Sequence, residues 1–322
     1  MVMTTRSFTT STNDADTADG VSVRGARTGL RAPGAAAPAL RTESEIESIR
    51  AAGTVLRGAL EAAAAQCVAG ARTRDLDEAA RVVIEDAGAE PLFLHYPEYV
   101  RGQGFPAIAC ISVNDAVIHG VPGQQVLQDG DLVSIDCGVR LDGWCADSAI
   151  TVSVGAMKES HRMLLEATRS VLELAIRRIR PGVRWSAIAS DMEARSAEAG
   201  FGVVEDYVGH GIGRKLHESP SAPSVMTVSL KHRGDFTLRP GMVLAVEPML
   251  VMLGQDSDGM STDGRRAARI DTRKDADGWT VRTVSGAISC HLEHTIAVTR
   301  SGSDVLTDGG PNPVVARKCG KE

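Results

Sequence analysis

Residues 132–152 read LVSIDCGVRLDGWCADSAITV. Two apolar β-runs are joined here by a glycine-containing turn. Each run carries one carboxylate, Asp136 within the first and Asp147 at the start of the second. Strand interiors usually exclude Asp. A buried carboxylate is costly unless it is paired or binds a metal, so two on one hairpin imply partners elsewhere in the chain.

Those partners emerge from an internal repeat. CVAGARTRDLDEAARVVIEDAG (67–88) aligns with IRPGVRWSAIASDMEARSAEAG (179–200), setting Gly70 on Gly182, Leu76 on Ile188 and Gly88 on Gly200. LQDGDLVSID (127–136) aligns with LRPGMVLAVE (238–247), which sets Asp136 on Glu247. DSAITV (147–152) aligns with EHTIAV (293–298), which sets Asp147 on Glu293. The matches keep one order, so the chain reads as a duplicated unit of helices followed by strands. An insertion at about 250–277, rich in Asp, Gly, Arg and Ser, lengthens the second half and is expected to be a surface loop. Halves that face each other would bring the four carboxylates together. Bare, they would repel and raise each other's pKa; cations would stabilise them.

The helices are legible by period and cap. Thr42-Glu43-Ser44-Glu45 has the form of a capping box, and Ile46, Ile49, Leu56 and Leu60 continue as a helical stripe. Further helices are predicted over about 73–87, over about 158–178, and from Trp185 to the stop at Gly200.

A fifth ligand is visible in YVGHGIGRKLHESP (207–220), where His210 lies between glycines that allow close backbone approach. His217 follows, with Glu218 and Pro220 behind it. His119 stands in SVNDAVIHGVPG (112–123), between an apolar run and a turn. A lone histidine of this kind is usually a loop residue. Four repeated acids plus a glycine-flanked imidazole point to metal.

Composition sets the frame. The chain has 322 residues, 24% charged and 43% hydrophobic, with a net charge of −6. This is an ordinary globular composition and argues against a generic nucleic-acid binder. No apolar run has membrane-spanning length, and no secretory signal is expected. The Thr-, Ser-, Ala- and Gly-rich residues 1–40 are expected to be a disordered tail. One globular domain is expected over 41–310 and a short solvated tail over 311–322. None of the six cysteines forms a CxxC pair, so buried free thiols of a cytoplasmic protein are expected.

From about Thr42 to Asp308 the chain resembles the type I methionine aminopeptidases of peptidase family M24. The resemblance is carried by VNDAVIHGVP, GDLVSIDCGVRLDGWCADSAIT, YVGHGIGRKLHESP, RPGMVLAVEPM, DGWTVRT and LEHTIAVT. It implies an α+β pita-bread fold, with two pseudo-symmetric αβ halves and a curved antiparallel sheet. It also implies two divalent ions held by Asp136, Asp147, His210, Glu247 and Glu293, with Asp147 and Glu293 bridging. His119 is then expected at the substrate amine or leaving group, His217 at the scissile carbonyl, and Glu247 as proton shuttle. Oxygen ligands with one imidazole suit Co, Mn, Fe or Zn rather than a thiolate zinc site. The expected substrates are N-termini of nascent polypeptides with a small second residue. The enzyme is expected to be a cytoplasmic monomer, with ribosome association as a further option.

The methionine slot departs from the family pattern. Phe105 and Trp279 are candidate walls, with Cys110 nearby, but PLFLHYPEYVRGQGFP (91–106) is longer than the usual segment, so Phe93, Tyr96 or Tyr99 could serve instead. Leu216 and Leu292 stand where aromatics are usual, and His291 where the family has Gln. His291 is open to two readings, a hydrogen bond behind the metal ligands or a titratable group that shifts the pH optimum. Two alternatives remain open: an X-Pro aminopeptidase or prolidase, which shares fold and ligands but generally carries a large N-terminal domain, and a non-catalytic binding protein of the same fold.

Overall fold

A computed structural model describes residues 37–97, 104–253 and 267–308. The expected N-terminal tail up to residue 36, Tyr99, the centre of the insertion (254–266) and the C-terminal tail lie outside the described residues.

Helix α1 (Glu43–Ala65) begins at the anticipated capping box, with the Glu45 amide donating to Thr42 Oγ1 at 3.3 Å and the Thr42 amide to Glu45 Oε2 at 2.8 Å. Helix α2 (Thr73–Asp86) buries Leu76, Ala80 and Ile84, spaced one turn apart, so a single stripe faces inward. Helices α3 (Glu159–Arg178) and α4 (Trp185–Glu198) repeat this pairing in the second half.

The quoted hairpin is formed by strands Leu132–Leu141 and Trp144–Ser153, with Asp142 and Gly143 both at positive φ, 50° and 76°. That tight turn matches the twist of antiparallel strands. Asp147 therefore lies inside its strand rather than at its start. Strand Ala109–Val113 pairs with Leu132–Leu141 on the other side, antiparallel as well. The second half is led by the sheet Ser303–Val305, His294–Val298, Val243–Val246, Gly209–Gly211, Glu218–Ala222, also antiparallel.

The repeat is physical. Gly70, Gly88 and Gly130 have positive φ, and so do their counterparts Gly182, Gly200 and Gly241. The Gly70 amide donates to the Leu127 carbonyl and the Gly182 amide to the Leu238 carbonyl, each at 2.9 Å. The same turns thus tie helix to strand in both halves. Two main cores follow. One gathers Leu56, Leu76, Ile84, Ile135 and Val139; the other gathers Leu164, Leu172, Trp185, Ile188 and Leu244. Each fully buried side chain of this size contributes about 1.5–3 kcal/mol, so each half is stabilised largely by packing its helices against its strands.

The insertion differs from the expected plain loop at both ends. Strand Met249–Val251 pairs with Ser289–His291 and Gly202–Val203, and strand Thr272–Lys274 pairs with Val281–Thr283. The apolar run Met249–Val251 is buried, so its backbone groups need partners, which strands on both sides supply. The described cysteines are all free and buried, as expected. Among the described residues, no helix is long and apolar enough to cross a membrane.

Candidate metal centre

Register brings the first two acids together. Asp136 faces Ala149 across the hairpin, and Asp147 faces Gly138. Side chains two apart share a face, so Asp136 and Asp147 are diagonal neighbours on one surface. Cys110, directly opposite Asp136 on the other flanking strand, borders the same surface. Phe93 lies against Gly138, beside Asp147.

The seam between halves brings the other two. Ala149 and Glu293 exchange backbone hydrogen bonds of 3.3 and 3.0 Å. Thr295 Oγ1 accepts from the Asp147 amide at 3.0 Å and donates to the Asp147 carbonyl at 2.8 Å. Ser148 Oγ donates to the Glu293 carbonyl at 2.7 Å. Glu247 follows directly on Val243–Val246, whose Val246 faces His294.

His210 enters from strand Gly209–Gly211. A Cβ on Gly209 would stand 2.4 Å from the Ala245 carbonyl oxygen, and one on Gly211 2.4 Å from that of Ser219. The flanking glycines are required by close backbone approach, as the sequence implied. His210 Nδ1 lies 3.0 Å from the Gly211 carbonyl. Donation there leaves the Nε2 lone pair facing the acids, 3.7 Å from Asp147 Oδ2 and 3.9 Å from Glu247 Oε1. Glu218 is structural. Its Oε1 accepts from the Arg214 and Lys215 amides at 2.8 and 3.1 Å, and its Oε2 pairs with Arg41.

The electrostatics are those of a cation site. Asp147, His210 and Glu293 each offer an atom within 4.8 Å of the others. Asp136 Oδ1, Asp147 Oδ1 and Glu293 Oε1 are buried without a hydrogen-bond partner, a burden of about 1–3 kcal/mol for each such group, more when charged. Burial pushes Asp136 up to about 7. Burial, then the Asp136 charge, pushes Glu247 up to about 8. Asp147 and Glu293 are raised by burial first and by their acidic neighbours second. Four such groups cannot all be ionised side by side without countercharge. Divalent cations fit them.

Four histidines cluster at and around the acids. Burial holds His210 down to about 4 and His217 down to about 2, so both rings are neutral. The His217 ring lies 4.2 Å from that of His210, centre to centre, and its Nδ1 is 2.6 Å from the Tyr96 hydroxyl. His119 follows strand Ala116–Ile118 at φ 56°, its ring perpendicular to Tyr207 at 5.6 Å. His291 sits at the seam, with Nε2 3.8 Å from Glu247 Oε2 and 4.0 Å from Glu293 Oε2.

Aromatics gather beside His217. The His95 amide donates to the Phe105 carbonyl at 2.7 Å and the Phe105 amide to the Tyr96 carbonyl at 2.8 Å. Phe105 meets Trp279 edge-on at 5.5 Å and Phe93 at 6.5 Å. Asp277 fixes the Trp279 turn by accepting from the Trp279 and Thr280 amides at 2.8 and 2.9 Å. Thr280 Oγ1 in turn accepts from the Val121 amide at 3.2 Å, tying this turn to the His119 segment. Leu216 and Leu292 are both buried core residues. Three contacts lay beyond sequence reasoning: the Tyr96 bond to His217, Tyr207 against His119, and the Thr295 clamp on Asp147. Only Thr295 had a signal, since it lies two residues after Glu293 and so shares its face.

The architecture and this cluster define a metallopeptidase. The family model for metallopeptidase family M24 matches residues 47–300, and the chain belongs to that family, with its pita-bread fold. Within it the similarity is to methionine aminopeptidases. Methionine aminopeptidase 1 of Mycobacterium tuberculosis is 41% identical over 276 residues, covering 84% of this chain and 94% of the relative. The methionine aminopeptidase of Aquifex aeolicus is 38% identical over 271 residues, covering 84% and 98%. The crystal structure of methionine aminopeptidase from Thermotoga maritima matches with a TM-score of 0.73 at 34% identity, covering 84% of this chain and 99% of that one. The prolidase from Pyrococcus horikoshii shares the fold at a TM-score of 0.62 and 23% identity, but only 64% of its length is covered.

Proposed function

We propose that the protein is a metal-dependent methionyl aminopeptidase that removes N-terminal methionine from polypeptides with a small second residue. The observation that carries this is the convergence of Asp147, His210 and Glu293 within a set of four carboxylates, three buried and the fourth, Glu247, only slightly exposed. In this reading Asp136, Asp147, His210, Glu247 and Glu293 hold two divalent ions, drawn from Co, Mn, Fe or Zn. When bound, the ions supply Lewis acidity that makes a water nucleophilic near neutral pH and polarises the scissile carbonyl.

The chain's own groups do the rest. His217 hydrogen-bonds the scissile carbonyl oxygen as negative charge develops on it. A Tyr96 hydroxyl that donates into His217 Nδ1 keeps the ring proton on Nε2, the tautomer this task needs. Glu247 takes a proton from the attacking water and passes it to the departing amine. Its side chain is 13% exposed against 3% for Glu293, so it stands nearer the open side. His119 orients the leaving nitrogen. Phe105, Trp279 and Tyr96 line the methionine slot, with Cys110 beside Asp136. The substrates are N-termini of nascent chains, met in the cytoplasm by a monomer whose catalytic domain spans 41–310.

The test is direct. Metal-reconstituted protein is incubated with Met-Ala-Ser and with X-Pro peptides. Release of methionine is expected, with the X-Pro peptides left intact. Cleavage of X-Pro peptides alone would move the chain to the prolidase side of the family, and cleavage of neither would sink the enzymatic reading.

A further inference from the structure

His291 ends strand Ser289–His291, two residues before Glu293, and is only 2% exposed. Neither ring nitrogen has a hydrogen-bond partner among the described residues. Its backbone is pinned to the first half: the amide donates to Ser134 Oγ and Thr151 Oγ1, both at 3.3 Å, and Thr151 Oγ1 donates to the His291 carbonyl at 2.7 Å. A buried imbalance of this kind calls for a ligand.

The distances say which. His291 Nε2 stands 3.8 Å from Glu247 Oε2 and 4.0 Å from Glu293 Oε2, too far for hydrogen bonds. His210 Nε2 stands almost equally far from its acids, 3.7 Å from Asp147 Oδ2 and 3.9 Å from Glu247 Oε1. Donor atoms that each lie about 2.0–2.2 Å from one ion are themselves roughly 3–4 Å apart. The two imidazoles therefore flank Glu247, one at each carboxylate oxygen, with the spacing of co-ligands.

We propose that His291 is a second imidazole ligand of this metal centre, acting on the ion shared by Glu247 and Glu293. This rests on the metallopeptidase reading and extends its ligand set. A second imidazole shifts preference from manganese toward zinc, cobalt and iron, because imidazole suits the latter ions and carboxylate the former.

The full-length protein, stripped with chelator and reloaded with one equivalent of Mn(II), is examined by electron spin-echo modulation with natural and 15N-labelled histidine. Two coupled imidazoles are expected in the wild type and one in His291→Gln. Competitive dialysis of zinc against manganese should show the zinc preference of His291→Gln fall by at least about tenfold. Gln still hydrogen-bonds carboxylates, so a merely supporting role for His291 would leave that preference unchanged. One imidazole in the wild type overturns the proposal without any variant having to fold, and leaves the metallopeptidase reading standing. Two imidazoles persisting in His291→Gln overturn it as well. Failure to bind any divalent ion overturns both readings together.

Discussion

Asp136 and Asp147 sit within ten-residue strands, and Glu247 and Glu293 beside strands that continue the same registers. Tyr96, Phe105 and Trp279 instead come from irregular segments held by a few local hydrogen bonds, such as Phe105 to Tyr96 and the Trp279–Thr280 turn to Asp277. The acidic floor is built twice, once per half, and its side chains are aimed by strand pairing. The aromatic wall is built once. Strand register over-determines side-chain direction, whereas a loop position depends on a few local contacts. Changes in the floor should therefore alter chemistry and the balance of charge, and changes in the wall should alter substrate fit while leaving metal in place.

Glu247→Gln gives the sharpest separation. Turnover of Met-Ala-Ser should fall by about 10²–10⁴-fold through loss of the proton-transfer group. The metal-free variant should nevertheless melt higher than metal-free wild type near neutral pH, since one of four mutually repelling carboxylates is gone. Retained activity would discard the shuttle role. A lower melting temperature without metal would discard the picture of a strained acidic floor.

The floor also sets a pH dependence that the wall does not. In the metal-free protein, Asp136 is raised from 3.8 to about 7 and Glu247 from 4.5 to about 8. The folded state then binds more protons than the unfolded state across this interval. Its stability is greatest below the unfolded values and is lost as pH rises through the folded ones. Thermal melts of chelator-treated protein should decline steadily from about pH 5 to about pH 8, and saturating metal should flatten that slope by keeping the carboxylates ionised. A metal-free melting temperature that rises over this interval contradicts the assignment of these carboxylates as the destabilising groups.

Legibility followed the same division. The four acids could be aligned in the sequence because duplication preserved their order, and the glycines around His210 announced the close strand approach that the structure contains. Helix starts and stops were legible through Thr42, Gly88 and Gly200, whose side chains, or lack of them, act locally. The Tyr96 contact with His217 spans 121 residues and depends on how 91–97 folds back on Phe105. No periodicity encodes such a return. His291 was visible as an odd residue, but its spacing from Glu247 depends on strands Met249–Val251 and Ser289–His291 pairing, within a region read as loop on one side.

Trp279→Ala tests the wall. Removing one face of an apolar slot costs on the order of 1 kcal/mol of methionine binding, so KM should rise roughly fivefold to tenfold while metal content stays that of wild type. A loss of bound metal in this variant would mean that wall and floor are coupled.

The smallest effect is expected where the two regions touch. Tyr96→Phe keeps the ring in its cluster and removes only the hydroxyl that meets His217 Nδ1. A neutral hydrogen bond is worth about 0.5–1.5 kcal/mol, so kcat should fall a few-fold to roughly tenfold, with KM for Met-Ala-Ser nearly unchanged. The effect acts through the His217 tautomer, so it should vanish in a His217→Ala background, where no ring remains to orient. If Tyr96→Phe lowers kcat equally in both backgrounds, the hydroxyl acts through a group other than His217, and the proton on His217 is set by something else.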